Sequence, residues 1–332
     1  MEVLMTIIIV IIILAVAFDF INGFHDTANA IAMSVSTRAL PPRFAVVYAG
    51  ILNFIGAITS QAVAKSIGGK ISDPFHIENG LPIVIAALIS AILWNLITWY
   101  FGIPSSSSHT LIGSVAGAVI FGSGLHSINW VGFTDIIKGL IISPILAFII
   151  GFILMHLLRI IFKNANPHRT TRGFRMFQIL AGGLAAFSHG GNDGQKTMGI
   201  IVFALVAGGF QSTLDVPFWV QVLCAAAMGL GTMIGGMRII KTVAKKLFKV
   251  QPINGFASDL SSFIIMQGAT HYGIPVSTTH VASCSILGVG SAKRIRGVNW
   301  GVAGRMIITW VITLPISAAF AGIIISILKL FF

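Results

Sequence analysis

The chain is poor in charged side chains, and acidic ones are the scarcest. Asp, Glu, Lys and Arg make up 9% of its 332 residues, and only nine residues are acidic. Soluble domains carry about a quarter charged residues, so this composition excludes an ordinary soluble domain. Hydrophobic residues make up 56% of the sequence, and the mean hydropathy is +0.94. These values predict an integral membrane protein.

Cysteine is almost absent, and several functional signatures are missing. Cys224 and Cys284 lie in apolar segments, which favours buried free thiols over a disulfide framework. The sequence has neither a clustered Cys/His spacing nor a P-loop, which argues against nucleotide-driven transport by this chain alone. Glu2 stands where a signal peptide would carry basic residues, so we expect the N-terminal apolar run to be a retained helix.

Apolar runs of about 20 residues recur along the chain, the length that crosses a bilayer core as a helix. Because backbone polar groups in lipid must be satisfied internally, unbroken runs of this kind are typical of helices. We therefore predict an all-α polytopic membrane protein in the cell membrane. We assign the net charge of +12 to cytoplasmic loops rather than to nucleic-acid binding. The main predicted spans are Val3–Phe18, Phe44–Val63, Leu81–Tyr100, Ile136–Ile161, Phe218–Met237 and Val302–Leu328.

The two halves of the chain share three landmarks in the same order. An Asp motif occurs at residues 23–29 and 190–196, and an Asn-Trp pair at 129–130 and 299–300. Between them, a Gly-Ile-Pro block occurs at 102–109 and 273–280. Matched residues lie about 170 positions apart throughout, which indicates an internal duplication. We predict two repeats, residues 1–162 and 176–332, joined by a short basic linker at 163–175.

Loop charge predicts how the repeats are oriented. Residues 36–43 carry two arginines, whereas the matched residues 211–217 carry only Asp215. The charge preference also reverses in the two other pairs of matched loops. Because basic loops stay in the cytoplasm, the repeats are predicted to be inverted, with the linker inside and both termini outside. Inverted repeats can exchange conformations around a midplane site, which favours a carrier over a channel.

Each Gly-Ile-Pro block leads into a run of hydroxyl side chains closed by a histidine. Pro104 and Pro275 suit a first helical turn, so we predict re-entrant or broken helices that start at the midplane. The N-terminus of a helix, together with hydroxyls, suits a small oxyanion. Alternatively, the hydroxyls bond their own helix carbonyls and hold helices together. The candidate anion ligands are Ser105, Ser106, Ser107, Ser108, Thr110, Ser277, Thr278 and Thr279.

Asp26 and Asp193 lie in apolar surroundings, where a carboxylate is costly and indicates a functional site. They offer oxygen ligands to Na⁺, or accept a proton; pairing with a structural partner is the alternative. Lys196 takes the place of Asn29 in the second motif, where it would neutralise an anionic substrate or replace a cation. The candidate residues for the coupling ion are Asp26, Asn29, Asn192, Asp193 and Gln195, with a possible Na⁺ site at Asp26, Asn29 and Asp193.

The two Asp motifs and the paired Pro-Ser/Thr blocks together resemble the duplicated signature of the inorganic phosphate transporter (PiT) family. The motifs read Gly23-Phe24-His25-Asp26-Thr27-Ala28-Asn29-Ala30 and Gly190-Gly191-Asn192-Asp193-Gly194-Gln195-Lys196-Thr197. The resemblance covers nearly the whole chain and implies a dimeric secondary carrier for inorganic phosphate that needs no cofactor. It implies that Asp26, Asn29 and Asp193 lie near the coupling ion, and that the hydroxyl blocks hold phosphate.

The second motif ends in Gln195-Lys196-Thr197, which resembles the bacterial low-affinity branch of that family. This resemblance implies proton coupling and metal–phosphate complexes as substrate. We therefore expect a phosphate symporter driven by H⁺ or Na⁺, with charge balanced in part by Lys196. The alternatives are a sulfate carrier of the same family, a passive anion channel, and a hydrolase built on Ser107, His109 and Asp26. The duplication gives no reason for two hydrolytic sites, so we expect no enzyme.

Overall fold

The computed structural model describes residues 2–103, 105–235 and 250–330, with the side chains of residues 27–30 outside the described set. Within these ranges the regular structure is entirely helical, which confirms the predicted all-α class. Short 3₁₀ turns at Leu125–Ser127 and Ile295–Gly297 precede the two Asn-Trp pairs. The described helices are α1 (Glu2–Ser36), α2 (Pro42–Ala57), α3 (Ala62–Lys70), α4 (Gly80–Tyr100), α5 (Ser107–Ser123), α6 (Trp130–Ile161), α7 (Pro167–Ala207), α8 (Phe218–Ile234), α9 (Pro252–His271), α10 (Thr278–Lys293) and α11 (Trp300–Leu328).

Four of the described helices, α1, α4, α6 and α11, are long and apolar enough to cross a membrane. Large apolar side chains remain exposed along α6 and α11, for example Ile142, Ile145, Ile308 and Val311. Exposed apolar faces of this extent suit contact with lipid acyl chains. The chain is thus a multi-pass membrane protein.

The predicted span Phe44–Val63 is wrong as a single helix. The chain breaks after α2 and resumes as α3, and the two helices are bent by 68°. Ser60 Oγ accepts a hydrogen bond from the Ala62 amide at 3.3 Å, and Gln195 Oε1 accepts from the Val63 amide at 2.9 Å. Side chains that bond backbone groups in this way offer the chain an alternative to continued helix.

The region between the repeats is shorter than the predicted linker. Asn166 caps the start of α7 by accepting a hydrogen bond from the His168 amide at 3.0 Å. Residues 167–175, which we predicted to belong to the linker, therefore form the first turns of α7. The assignment of the two halves as separate repeats stays a prediction.

The helices of the two halves nevertheless match in order and in contact. The pairs are α1 with α7, α2 with α8, α4 with α9, α5 with α10, and α6 with α11. The contacts between the halves also match. α1 packs on α8, and the matching contact is that of α2 on α7; likewise, α5 packs on α11 and α10 packs on α6. Each half therefore completes its packing only against the other.

α4–α5 and α9–α10 are two antiparallel hairpins with their tips at the Gly-Ile-Pro blocks. In the first hairpin, Ser123 Oγ near the end of α5 donates to the carbonyl of Glu78 just before α4. In the second, Lys293 Nζ at the end of α10 donates to Gln251 Oε1 just before α9 at 2.8 Å. The chain therefore turns back at each tip, and whether the hairpins are re-entrant or formed by broken spanning helices stays a prediction.

The long helix α7 shows that the two hairpins approach from opposite ends. Its early residue Gln178 packs against Gly255 at the base of the second hairpin. Its last residue, Ala207, packs against Gly80 at the base of the first. Since α7 has 41 residues, it is about 60 Å long and passes both tips near its middle.

The matched helices α1 and α7 run antiparallel. Ile8 near the start of α1 contacts Gly208 just after α7, whereas Thr37 just after α1 donates to Gln178 Oε1 at 2.7 Å. Antiparallel matched helices are the geometry that an inverted repeat requires. The orientation of either half relative to a membrane stays a prediction, as does the cytoplasmic location of the basic loops.

Candidate functional site

Glycine ends the first helix of each hairpin at matched positions. Gly102 and Gly273 have φ angles of 65° and 66°, a left-handed conformation that glycine adopts without steric cost. The amides of Ile103 and Ile274 then bond back to the carbonyls of Thr98 and Ala269 at 2.9 and 2.8 Å. This is the Schellman pattern of helix termination, and it explains why glycine opens both blocks.

Serine starts the second helix of each hairpin. Ser106 and Ser277 are the N-cap residues of α5 and α10, and they accept hydrogen bonds from the amides of His109 and His280 at 3.1 and 3.2 Å. The expectation that Pro275 occupies the first helical turn is wrong, because the helix begins three residues later. Pro104 lies outside the described residues. Hydroxyl capping, rather than proline, therefore sets where these helices start.

The two hairpin tips are in direct contact. Ser277 Oγ donates to Ser106 Oγ at 2.8 Å, so the two N-cap residues bond to each other. Ser108 Oγ donates to the backbone carbonyl of Val276 at 3.0 Å. These hydroxyls are buried, so the helix N-termini face one another in an enclosed polar region.

Asp26 on α1 accepts hydrogen bonds from both hairpins. Ser107 Oγ of the first tip donates to Oδ2 at 2.7 Å, and Thr279 Oγ1 of the second tip lies 3.4 Å from Oδ1. His25 Nδ1 is 2.7 Å from Oδ1. Asp26 is buried, so these partners compensate the loss of water around its carboxylate.

Asp193 on α7 occupies the matching position. Thr278 Oγ1 donates to its Oδ2 at 2.8 Å, and Lys196 Nζ donates to its Oδ1. Lys196 Nζ also donates to Ser108 Oγ at 2.5 Å and to the carbonyl of Val276 at 2.6 Å. The ammonium of Lys196 therefore joins α7 to both hairpin tips.

Asp26, His189 and Asp193 bring potential metal-ligand atoms within 4.8 Å of one another, and all three residues are buried. His189 Nδ1 lies 3.1 Å from Asn53 Oδ1 and donates to it, because the amide oxygen can only accept. His189 Nε2 lies 3.5 Å from Asp193 Oδ2 and has no hydrogen-bond partner among the described residues. Orientation of a histidine through its other nitrogen is typical of metal ligands.

The structure does not bring every predicted residue to these carboxylates. Thr110 Oγ1 donates to the carbonyl of Ser106 in its own helix at 2.9 Å, the structural alternative considered for the hydroxyls. Gln195 Oε1 accepts from the Val63 amide, so its side chain stabilises the start of α3. Asn29 lies outside the residues with described side chains. Of the predicted coupling-ion residues, Asp26 and Asp193 are the two whose described carboxylates lie at the hairpin tips, and the role of the set in ion binding stays a prediction.

Two further predicted residues hold the hairpin tips rather than the carboxylates. Asn192 Nδ2 donates to Thr270 Oγ1 at 3.1 Å, and its Oδ1 accepts from the Val276 amide at 3.2 Å. In the other half, Ser105 Oγ donates to Thr98 Oγ1 at 2.9 Å, and His25 Nε2 lies 3.1 Å from the same hydroxyl. Both residues therefore tie a tip to the end of its own hairpin.

Sequence patterns assign no ligand role to His189 or Asn53, yet both belong to the buried cluster. The available signal is the spacing of His189 and Asp193, four residues apart on one helix and therefore on one face. Asn53 carries no such signal, because it reaches His189 from α2. A hydrolytic triad is not formed, since Ser107 bonds Asp26 while His109 Nδ1 contacts Ser106 at 3.0 Å.

Comparisons with known proteins agree with this arrangement. The model of the phosphate transporter family matches residues 22–172 and 162–321. A Bacillus subtilis (strain 168) protein named "Probable low-affinity inorganic phosphate transporter" is 55% identical over 333 residues, which cover 100% of both chains. A Rhizobium meliloti (strain 1021) protein of the same name is 42% identical over 314 residues, 94% of this chain and 93% of the relative.

A solved structure titled "The sodium-dependent phosphate transporter" resembles the whole chain. Its TM-score is 0.91 at 25% sequence identity, and the match covers 98% of this chain and 100% of that chain. The family resemblance of the Asp motifs and hydroxyl blocks, including the low-affinity branch, is thereby confirmed. The chain belongs to the phosphate transporter family and is a membrane transporter rather than an enzyme.

Proposed function

We propose that this protein is a secondary active symporter that carries inorganic phosphate together with a cation by alternating access. The observation that carries the proposal is the meeting of two opposed hairpin tips directly against two buried carboxylates. Lys196 contacts both tips and Asp193 at once, so anion-binding and cation-binding groups share one enclosed region. Such a region links the binding of an anion to that of its counter-charge.

The anion position lies between the starts of α5 and α10. Two helix N-termini contribute partial positive charge there, and the hydroxyls of Ser106, Ser108 and Ser277 lie at the same place. A phosphate placed between the tips would accept the hydrogen bonds that these hydroxyls now exchange. Lys196 would supply the full positive charge that a tetrahedral oxyanion requires.

The cation position lies behind the tips, at Asp26, His189 and Asp193. The carboxylates can bind a proton or an alkali cation. H⁺ and Na⁺ are therefore the two coupling ions whose gradients the uptake assay compares. His189 Nε2, which has no hydrogen-bond partner among the described residues, is a nitrogen that a divalent metal accompanying phosphate would use as a ligand. A metal–phosphate complex would therefore find its two components matched by adjacent groups.

The packing of each hairpin on a helix of the other half supports alternating access. α5 packs on α11 and α10 packs on α6, so each hairpin contacts a helix of the opposite half. Separation of one tip or of the other would open the same central region to opposite ends of α7. In this proposal the repeats are inverted, the basic loops are cytoplasmic, both termini lie outside and the carrier works as a homodimer.

The test is uptake of ³²P-phosphate into proteoliposomes under imposed pH and sodium gradients. We expect saturable, concentrative uptake by the natural protein and its loss in Asp193→Asn, which removes a charge from the central region. Asp135→Asn is the matched control, because Asp135 is exposed and pairs with Lys138 on α6 at 3.0 Å. Concentrative uptake by Asp193→Asn equal to that of the control would refute the assignment.

The same assay separates the alternatives. If excess sulfate inhibits ³²P-phosphate uptake as strongly as excess unlabelled phosphate does, the protein is a general oxyanion carrier. Electrogenic flux that does not saturate, in the absence of any cation gradient, would indicate a passive anion channel. Comparison of the two gradients, applied singly, identifies H⁺ or Na⁺ as the driving ion.

A further inference from the structure

Lys196 is held as a cation is held in a binding site. Its ammonium contacts a carboxylate oxygen of Asp193, a hydroxyl of Ser108 and the carbonyl of Val276, and the residue is 2% exposed. A carboxylate, a hydroxyl and a carbonyl are the oxygen donors that hard cations take from proteins. Each of these donors comes from a different segment, namely α7 and the two hairpin tips.

In the other half, a carboxylate and a hydroxyl meet without a lysine. Asp26 matches Asp193, and Thr279 of the opposite tip approaches Asp26 as Ser108 approaches the ammonium near Asp193. The residue that matches Lys196 in the first Asp motif is Asn29, a neutral amide. The duplication therefore places the ammonium of a lysine beside Asp193, whereas the partner beside Asp26 is the imidazole of His25 at 2.7 Å.

Charge balance follows from this asymmetry. Of the two carboxylates at the hairpin tips, Asp193 has the ammonium of Lys196 beside it at a fixed point on the same helix, whereas Asp26 is bonded to His25, Ser107 and Thr279. A buried charge is tolerated only when it is paired. The asymmetry therefore favours an exchangeable cation at Asp26 over one at Asp193.

We propose that Lys196 permanently fills one of two equivalent cation positions, so that this transporter needs one exchangeable cation fewer than a chain with asparagine there. This inference rests on the proposed symport function. Because Lys196 is covalently attached three residues from Asp193, it cannot leave with the substrate. The position at Asp193 is therefore closed to exchange with Na⁺, while that at Asp26 stays open to a proton or Na⁺.

The test replaces Lys196 with the residue of the first motif. Lys196→Asn should need one more Na⁺ for ³²P-phosphate uptake than the natural protein does, seen at fixed pH with choline as the replacement cation. The Hill coefficient for Na⁺ activation should rise by about one. Lys65→Asn is the matched control, because Lys65 is half exposed and pairs with Asp215 on the surface.

If Lys196→Asn no longer transports phosphate, the inference can still be tested by measuring Na⁺ binding. Na⁺ should raise the melting temperature of purified Lys196→Asn by more than that of the natural protein or of Lys65→Asn, because a ligand that binds only the folded state stabilises it and the variant has a further position for Na⁺. An equal Na⁺ dependence of uptake and of melting temperature in Lys196→Asn and in the natural protein would overturn the inference. If the natural protein carries no phosphate while Lys196→Asn gains Na⁺ binding, the symport proposal fails and the cation substitution stands.

Discussion

The hydroxyl of Thr278 offers a quantitative test of how the hairpin tip is held against the carboxylate of α7. Thr278 is the first residue of α10, it is buried, and its Oγ1 donates to Asp193 Oδ2 at 2.8 Å. Thr278→Val preserves the shape and the β-branching while removing this donor. The variant therefore removes one charge-assisted hydrogen bond and little else.

The magnitude follows from the charge and burial of the acceptor. A hydrogen bond to an ionised group contributes about 1.5–3 kcal/mol, and Asp193 has no exposed surface to let water replace the lost donor. The corresponding change in an equilibrium is about 10- to 150-fold. Because the bond joins the second hairpin to α7, we expect this factor in the apparent affinity for phosphate.

The assay is the initial rate of ³²P-phosphate uptake into proteoliposomes across a range of phosphate concentrations. Thr309→Val is the control, since the Thr309 hydroxyl donates to the Arg305 carbonyl of its own helix at 3.0 Å. Thr278→Ser, which keeps the donor, should recover most of the affinity. An apparent KM for Thr278→Val within twofold of the control would show that this hydrogen bond does not help to hold the substrate-bound state.

Two remaining predictions concern His189 and the packing of α5. Asn53→Ala removes the oxygen that orients His189 and should lower the affinity for the activating cation by about 10- to 100-fold, measured from the cation dependence of uptake. An unchanged cation affinity would exclude His189 as an oriented ligand. In Gly117→Ala, the added Cβ would overlap the backbone of Ala318 on α11, which should cost about 1–3 kcal/mol and lower the melting temperature. Gly173→Ala, where nothing lies within 4 Å, is the control, and equal melting temperatures would show that α5 and α11 pack less closely than described.

The hairpins and their capped helix starts could be predicted from sequence because each depends on local chemistry. Gly102 and Gly273 have the one side chain that tolerates the left-handed backbone of a helix end. Ser106 and Ser277 are among the residues that cap helix starts most effectively. Since both signals recur in register, the sequence also indicated that the two tips are equivalent.

The contacts that complete the site could not be predicted in the same way, because they cross between distant segments. Asn53 and His189 meet only when α2 packs on α7. Gln195 looks like a third polar ligand in the motif, but α3 starts beside it and takes its amide oxygen. Position within a motif says which residues share a helix face, whereas tertiary packing decides which partners they find.

Some matched residues of the two halves differ in chemistry but make the same contact, whereas others differ in contact as well. The second kind indicates which residues distinguish this transporter. His25 and Asn192 differ in chemistry but make the same contact, each bonding the threonine near the end of the neighbouring hairpin helix, Thr98 or Thr270. That difference leaves the architecture of the tips intact. Lys196 has no such equivalent, because it adds a charge that reaches both tips at once. A change of geometry at one position is compensated within its half, whereas an added charge in a buried region must be balanced by the ions that pass through it. The proposed function therefore makes Lys196, the position where the two halves differ in charge, the residue at which ion coupling and phosphate binding would meet.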